Sequence, residues 1–331
     1  RRVEPPKRDR LPFSLLYHQP MCTLASCGEM SPAALASRVL SLSYFHRIDQ
    51  EDYRLLLRHL VATDHIQKTE EGGLIVGRAG ERQTNSYKFY AVFKENEEYT
   101  VRNASQELGT SVSPPPVGEK IALAGHVWIV EEIDHKRHLV YCEQVKGKVP
   151  AYFGLCPGDI KTKVLEKIKD LLGQEIVYPY LMKNAVARLA QARHTALNSG
   201  MLEEPLICLG GDMWCLFPWL GTYAFLALER FIKIKCGPSL GLSAMDSSRP
   251  YFIQFKMKAS REEFFEILSE MEKQPLDPME LIYKGEVPLF EKYDEFLPET
   301  LVKKGFAHGI LGLEEMKARI RGWHKELKYS S

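Results

Sequence analysis

Residues 117–143, VGEKIALAGHVWIVEEIDHKRHLVYCE, decide how the rest of the chain is read. Val127, Ile129 and Glu131 fall on one side of a period-two repeat and Trp128, Val130 and Glu132 on the other, which fits a strand and not a helix. A short charged turn separates this run from a second apolar one, so the stretch is expected to form a hairpin of a small β-barrel. His126, His135 and His138 gather there with Glu131, Glu132 and Asp134. Alternation sends neighbours to opposite faces, so no tetrahedral metal set follows and solvated turn residues are expected.

Working outward, 87–93 (YKFYAVF), 99–103 (YTVRN) and 106–110 (QELGT) read as further strands. Asn96, Asn103, Gly109, Pro114 to Pro116 and Gly125 break these runs, and five or six such strands close a small barrel over residues 78–150. Residues 1–77 read as three helices and a two-stranded wing. The first helix stops at Gly28, Ser31 caps the second with Pro32 at its first position, and Asp49 caps a third carrying Tyr53, Leu56, Leu57 and Leu60. A tight turn at 70–73 joins the wing strands, which makes a winged helix. Asp49, Glu51 and Asp52 crowd the start of the third helix and repel DNA, so groove readout is not expected and the module reads as a spacer.

Residues 151–331 mix both periods. Helices are expected over 162–172, 180–197, 219–234, 260–268 and twice in the tail from 297. Short strands are expected at 205–208, 213–217 and 251–256. The fold class is therefore α+β, with a winged helix, a small barrel and a helical and strand part packed on it.

The composition of this 331-residue chain is that of an ordinary globular protein. The polar, proline-broken start RRVEPPKRDRLP, without an initial Met, suggests a piece of a longer protein. Seven cysteines without a CxxC spacing signal neither a zinc ribbon nor a disulfide framework, and a cytoplasmic location fits them. The apolar run from Ile207 is broken by Gly210, Gly211, Asp212, Pro218 and Gly221, so no membrane span is expected. Net charge is only +1, yet residues 146–193 hold nine basic side chains against four acidic ones. Such a run is either a solvated face or a phosphate-binding one.

Several stretches resemble Lhr-type (long helicase-related) superfamily 2 DEAD/DEAH-box helicases, in which a winged helix and a barrel follow two RecA-like motor domains. They are GRAGER at Gly77 with FYAVF at Phe89, LGT at Leu108, the 117–134 run, GKVPAYFG at Gly147, PWLGTYAFLALERFI at Pro218 and KYDEFLPETLVKKGFAHGILGLEEMKARI at Lys292. Their order matches the second half of the family plan through most of the chain. One departure is Tyr152, where the family carries Trp, which bears on contact chemistry at that position. The resemblance implies an ATP-dependent, 3′-to-5′ hydrolase as parent, with ATP and Mg held by the motor domains of the same chain. Here there is no GxxxxGK[ST] loop and no DExH-like box, so no catalytic residue and no cofactor are assigned to these residues.

Candidate contacts with single-stranded DNA or RNA follow from the residues. Tyr152 and Phe153 lie beside Lys146, Lys148, Lys161 and Lys163, the mixture of stacking faces and cations that holds an unpaired strand, or else they plug the barrel end. Arg78 and Arg82, in the loop joining winged helix to barrel, form a second basic pair that contacts the strand or, as slightly favoured, pairs with Glu81 and its neighbours. Thr222 follows Trp219 and Gly221 at a helix start, where it caps the helix or frames amides for a phosphate. Cys208 or Cys215 with His194 would make a nucleophile pair, but apolar strands raise a thiol's pKa. The expected function is an accessory strand-guiding region of a helicase. The alternative is a scaffold for a DNA-repair or RNA-processing partner, which near-zero net charge favours.

Overall fold

The computed structural model describes residues 10–93, 98–104, 106–111, 117, 118, 120–123, 126–134, 137–145 and 159–330. In chain order the first elements are α1 (Phe13–Cys27), α2 (Pro32–Leu40), α3 (Gln50–Ala62), β1 (Ile66–Lys68), β2 (Leu74–Val76), α4 (Arg78–Thr84) and α5 (Tyr87–Tyr90). A sheet of β3 (Tyr99–Asn103), β4 (Gln106–Ser111), β5 (Lys120–Leu123), β6 (His126–Asp134) and β7 (Leu139–Gln144) follows. Next come α6 (Thr162–Leu172), α7 (Lys183–Ser199), β8 (Leu206–Gly210), β9 (Met213–Leu216), α8 (Thr222–Phe231) and, past a π-helical turn at Ile232–Cys236, α9 (Gly237–Leu240). The chain ends in β10 (Ala244–Ser248), β11 (Phe252–Lys256), α10 (Arg261–Lys273), α11 (Glu299–Gly305) and α12 (Leu313–Ser330). The protein is mixed α+β, and no helix among the described residues is long and apolar enough to cross a membrane.

The chain forms two compact units. Residues 1–94, 226–239 and 262–331 make one; residues 95–225 and 240–261 make the other. In the first unit the expected caps are in place: the Ser31 hydroxyl accepts from the Ala34 amide and the Asp49 carboxylate from the Asp52 amide. Gly28, at φ 75°, ends α1 in the left-handed region that glycine enters without penalty. Phe13, Leu16, Tyr17, Leu35, Leu56, Leu60 and Ile66 share one core with Tyr293, Leu297 and Leu301 of the tail, so head and tail fold as one body.

Strand β6 buries Trp128 and Val130 in one core with Val101 of β3 and Val140 and Cys142 of β7. Its register shifts by one residue between Val130 and Glu132, which turns Ile133, in place of position 132, onto the same core. Sheet order is β4-β3-β7-β6-β5, with β3 and β7 parallel. The closed barrel expected from the strand count is not formed. Strands β4 and β5 are the two edges, four strand spacings apart, about 19 Å if the sheet were flat. A Cβ on Gly109 of β4 would nevertheless lie 3.4 Å from the Leu123 side chain of β5, so the sheet curls until its edges meet by side-chain contact without a closing ladder. The second sheet, β10-β11-β9-β8, is antiparallel throughout.

The segment YKFYAVF departs from its strand reading: Tyr87–Tyr90 is a short helix. Period-two burial would need alternate aromatics inside, and only Phe89 is buried. Tertiary packing overrides the aromatic β-propensity here.

Arg230, at the end of α8, is the best-anchored cation of the first unit. Its guanidinium donates to both carboxylate oxygens of Glu286 at 2.6 and 2.7 Å and to the Leu281 carbonyl at 2.9 Å. The rings of Tyr283 and Phe306 lie 4.5 and 4.8 Å from it. Removing one partner of a buried pair strands the other charge, so Arg230→Ala is expected to cost about 3 kcal/mol. At the size of this unit that lowers the unfolding midpoint by about 6–12 °C. Arg230→Met combined with Glu286→Gln, which leaves no buried charge, should cost less in calorimetry than Arg230→Ala alone.

Candidate nucleic-acid interface

Two glycines let α4 press against the base of the β1–β2 hairpin. A Cβ at Gly77 would lie 2.4 Å from the Asp64 carbonyl and one at Gly80 2.2 Å from the His65 carbonyl. The amides of Gly77 and Ala79 donate to those carbonyls, of His65 and Asp64, at 2.8 and 2.9 Å. This fixes the direction of α4, and Arg78 and Arg82, four residues apart, share its outer face. Both are exposed. The pairing with Glu81 favoured from sequence is not made, and among the described residues neither guanidinium enters an ion pair. Arg82 and Glu81 are adjacent and point apart around the helix, while Arg78, three residues before Glu81, is within reach of it along the helix and does not close on it.

Five residues on, α5 presents aromatic rings. Tyr87 is 81% exposed, Tyr90 50% and Phe93 82%. A four-residue helix is not stable alone, since nucleation costs more than one turn returns. Here its carbonyl end is held from the tail: the Lys292 ammonium donates to Lys88 O at 2.6 Å and Ala91 O at 2.5 Å, and the Tyr293 hydroxyl donates to Phe89 O. The Tyr90 hydroxyl donates to Thr84 O at 2.9 Å, tying α5 back to α4. Beneath, Phe89 packs among Tyr17, His18 and Tyr293, with ring centroids 4.8–6.2 Å apart. The result is a cationic helix face followed by exposed rings on a held backbone, all within residues 78–93. Arg78 and Arg82 were legible in the sequence. The rings were missed because the run was read as a strand, and the signal available was four aromatics in YKFYAVF, more than one buried strand face accommodates.

The other expected contacts fare differently. Tyr152, Phe153, Lys146 and Lys148 lie outside the described residues. Lys161 pairs with Asp159 at 2.6 Å, whereas Lys163 is exposed on the first turn of α6. Arg193, counted in the basic stretch, is buried and donates to the carbonyls of Leu171 and Ile176 at 3.0 and 3.1 Å, so it ties the end of α6 and contributes no surface charge.

Thr222 is buried as well. Its hydroxyl accepts from the Ile160 amide at 3.0 Å and its own amide donates to Ile160 O at 2.9 Å, while the Gly221 amide is taken by the Thr162 hydroxyl at 2.9 Å. These amides are spent on joining the starts of α6 and α8 and do not frame a phosphate. A Cβ at Gly221 would lie 2.4 Å from Ile160 O, which explains the glycine.

At the start of α3, Lys304 of α11 pairs with Asp52 at 2.5 Å and Asp49 at 3.4 Å. The acids that would repel DNA are thus partly offset within the fold, Asp49 and Asp52 by Lys304 and Glu51 by Arg54. His126 lies 3.2 Å from the Gln144 amide nitrogen and His138 packs on the Tyr99 ring; His135 lies outside the described residues. Cys215 is buried, its thiol pushed up to about 11 by burial, but Cys208 is exposed, and His194 sits beside Asn198.

A pair that sequence reading overlooked is Cys22 with His18, whose Nε2 lies 3.2 Å from Sγ on the same face of α1. Burial raises the thiol to about 11 and lowers the imidazole, with Lys292 lowering it further. Both are neutral at pH 7, so no thiolate forms and the pair packs rather than reacts. Comparison with protein-family models, curated proteins and solved structures finds no match to this chain.

Two outcomes follow for the α5 support. Lys292→Ala combined with Tyr293→Phe should increase cleavage by a chymotrypsin-type protease within residues 87–93 several-fold, whereas Lys303→Ala, which removes only the pairing with Glu299 inside α11, should not. His18 and His65 both have pKa values depressed chiefly by burial. The stability they support is therefore present above about 6.5 and lost as pH falls through their lowered folded values. Thermal midpoints measured from pH 8 to 5 should fall on the acid side, with a shallower fall in His18→Gln.

Proposed function

We propose that this chain is an accessory region that binds single-stranded DNA or RNA, with the role that the resemblance to Lhr-type ATP-dependent helicases implies. In this reading α1–α3 with the β1–β2 hairpin act as the winged helix and the curled five-stranded sheet acts as the barrel. RecA-like motor domains of the same parent chain hold ATP and Mg and drive 3′-to-5′ movement, and the chain described here, cytoplasmic and without its own ATPase residues, steers the strand that leaves them.

The observation that carries the proposal is the α4–α5 surface. Arg78 and Arg82 offer two cations at one helical spacing to successive phosphates. Tyr87 and Phe93 offer open rings to unpaired bases, at roughly 1–3 kcal/mol per base stacked. Groove readout by α3 plays no part in this reading, since Asp49, Glu51 and Asp52 crowd its start. A scaffold for a DNA-repair or RNA-processing partner is the second reading; exposed Val287, Leu289 and Phe290, close together in the chain of the first unit, favour it.

Fluorescence anisotropy of labelled dT20 and rU20 at increasing salt distinguishes the two. Affinity should fall with salt, and Arg78→Ala/Arg82→Ala should weaken binding and lower the slope of log K against log salt by about 1.4, two contacts at about 0.7 each. An unchanged slope in that variant, or no salt-dependent binding by the parent chain, would falsify the strand-binding role of this surface.

A further inference from the structure

A second ring-and-cation surface lies in the other unit, where α6 turns into α7. Tyr178 and Tyr180 stack with centroids 5.5 Å apart and ring planes 29° from parallel. The Tyr178 hydroxyl donates to Gln174 at 3.1 Å, and the Leu181 amide donates to Tyr178 O at 3.1 Å across Pro179, so the inner ring is fixed. Tyr180 is 76% exposed, which leaves the face away from Tyr178 open to solvent. The loop is held as well, because the Arg193 guanidinium of α7 joins Leu171 O to Ile176 O across it.

The electrostatic setting favours an anionic ligand. Residues 176–202 contain no Asp or Glu, and Lys183 and Arg188 are exposed on α7 just past the rings. Met182 beside Tyr180 is equally exposed and adds apolar surface for a sugar or a base edge. Compact aliphatic patches suit proteins, but a half-open aromatic stack followed by cations and no carboxylate suits a strand whose bases are unpaired.

We infer that Tyr180, backed by Tyr178, is a stacking site for one base of single-stranded nucleic acid, with Lys183 and Arg188 on the neighbouring phosphates. This rests on the reading of the chain as a strand binder but uses residues of a different unit, so the two stand or fall separately. Because bases inside a duplex have no free face, the site takes an unpaired strand and not a duplex.

Anisotropy with labelled dT20, together with photo-crosslinking of a 4-thiothymidine-substituted dT20 and peptide mapping, tests it. Tyr180→Ala should weaken binding about tenfold, Tyr180→Phe should bind like the parent, and the crosslink should map to the peptide that contains Tyr180. Tyr180 is largely exposed, so neither change removes core packing. Tyr180→Ala binding like the parent, with crosslinks only within residues 78–93, overturns this site and leaves the α4–α5 surface standing. A tenfold loss in Tyr180→Ala with an unchanged Arg78→Ala/Arg82→Ala supports this site and overturns the other. A blunt 20-base-pair duplex binding as tightly as dT20 overturns the stacking role, as does binding of the parent to neither.

Discussion

Three backbone carbonyls around the short helix α5, those of Lys88, Phe89 and Ala91, are taken by two adjacent side chains about two hundred residues further along, Lys292 and Tyr293. A helix of four residues has no independent stability, so its existence depends on this capture. The same two residues close the first unit, because the Tyr293 amide donates to the Ser14 hydroxyl and its ring enters the core built by α1. One constraint therefore decides that head and tail are one body, that Phe89 points inward, and that Tyr87 and Phe93 point out.

Charge follows the same division of labour. The chain is nearly neutral, and its ion pairs are spent where packing needs them: Lys304 on Asp49 and Asp52, Arg230 on Glu286, Arg321 on Glu272. Lys304, partly exposed, and Arg321, exposed, reach buried carboxylates, whereas Arg230 is itself buried, with two ring centroids 4.5 and 4.8 Å from its guanidinium. Arg78 and Arg82 enter no ion pair among the described residues, and what separates them from other unpaired cations of the first unit, such as Arg58 and Lys68, is the exposed Tyr87 ring five residues on.

Local signals carried much of the fold. Ser31 with Pro32, Asp49 and Gly28 mark helix ends through chemistry acting over three or four residues, and α1 ends and α2 and α3 begin where those residues place them. The apolar spacing at 162–172 likewise gives α6 at its stated bounds. What sequence could not reveal was set at long range. The strand reading of YKFYAVF failed because Lys292 and Tyr293 determine its backbone. Closure of the sheet failed because its edges meet through Gly109 and Leu123 without a ladder. Arg193 and Thr222 looked like surface groups and are buried donors and acceptors, a fate fixed by Leu171, Ile176 and Ile160. Of the candidate contacts, Lys163 is exposed on the expected α6, and Arg78 and Arg82, expected in a connecting loop, are exposed on the helix α4, while the rings that complete the first surface were hidden by the strand reading.

The central claim is that the tail holds α5 so that residues 78–93 form a ready-made surface for an unpaired strand. Hydrogen–deuterium exchange of the chain with and without saturating dT20 tests it most directly. The account predicts that amides within 78–93 exchange more slowly when dT20 is bound, with the amides of α2, on the core of the same unit, unchanged. Slowed exchange that spares 78–93 while dT20 is demonstrably bound would contradict it.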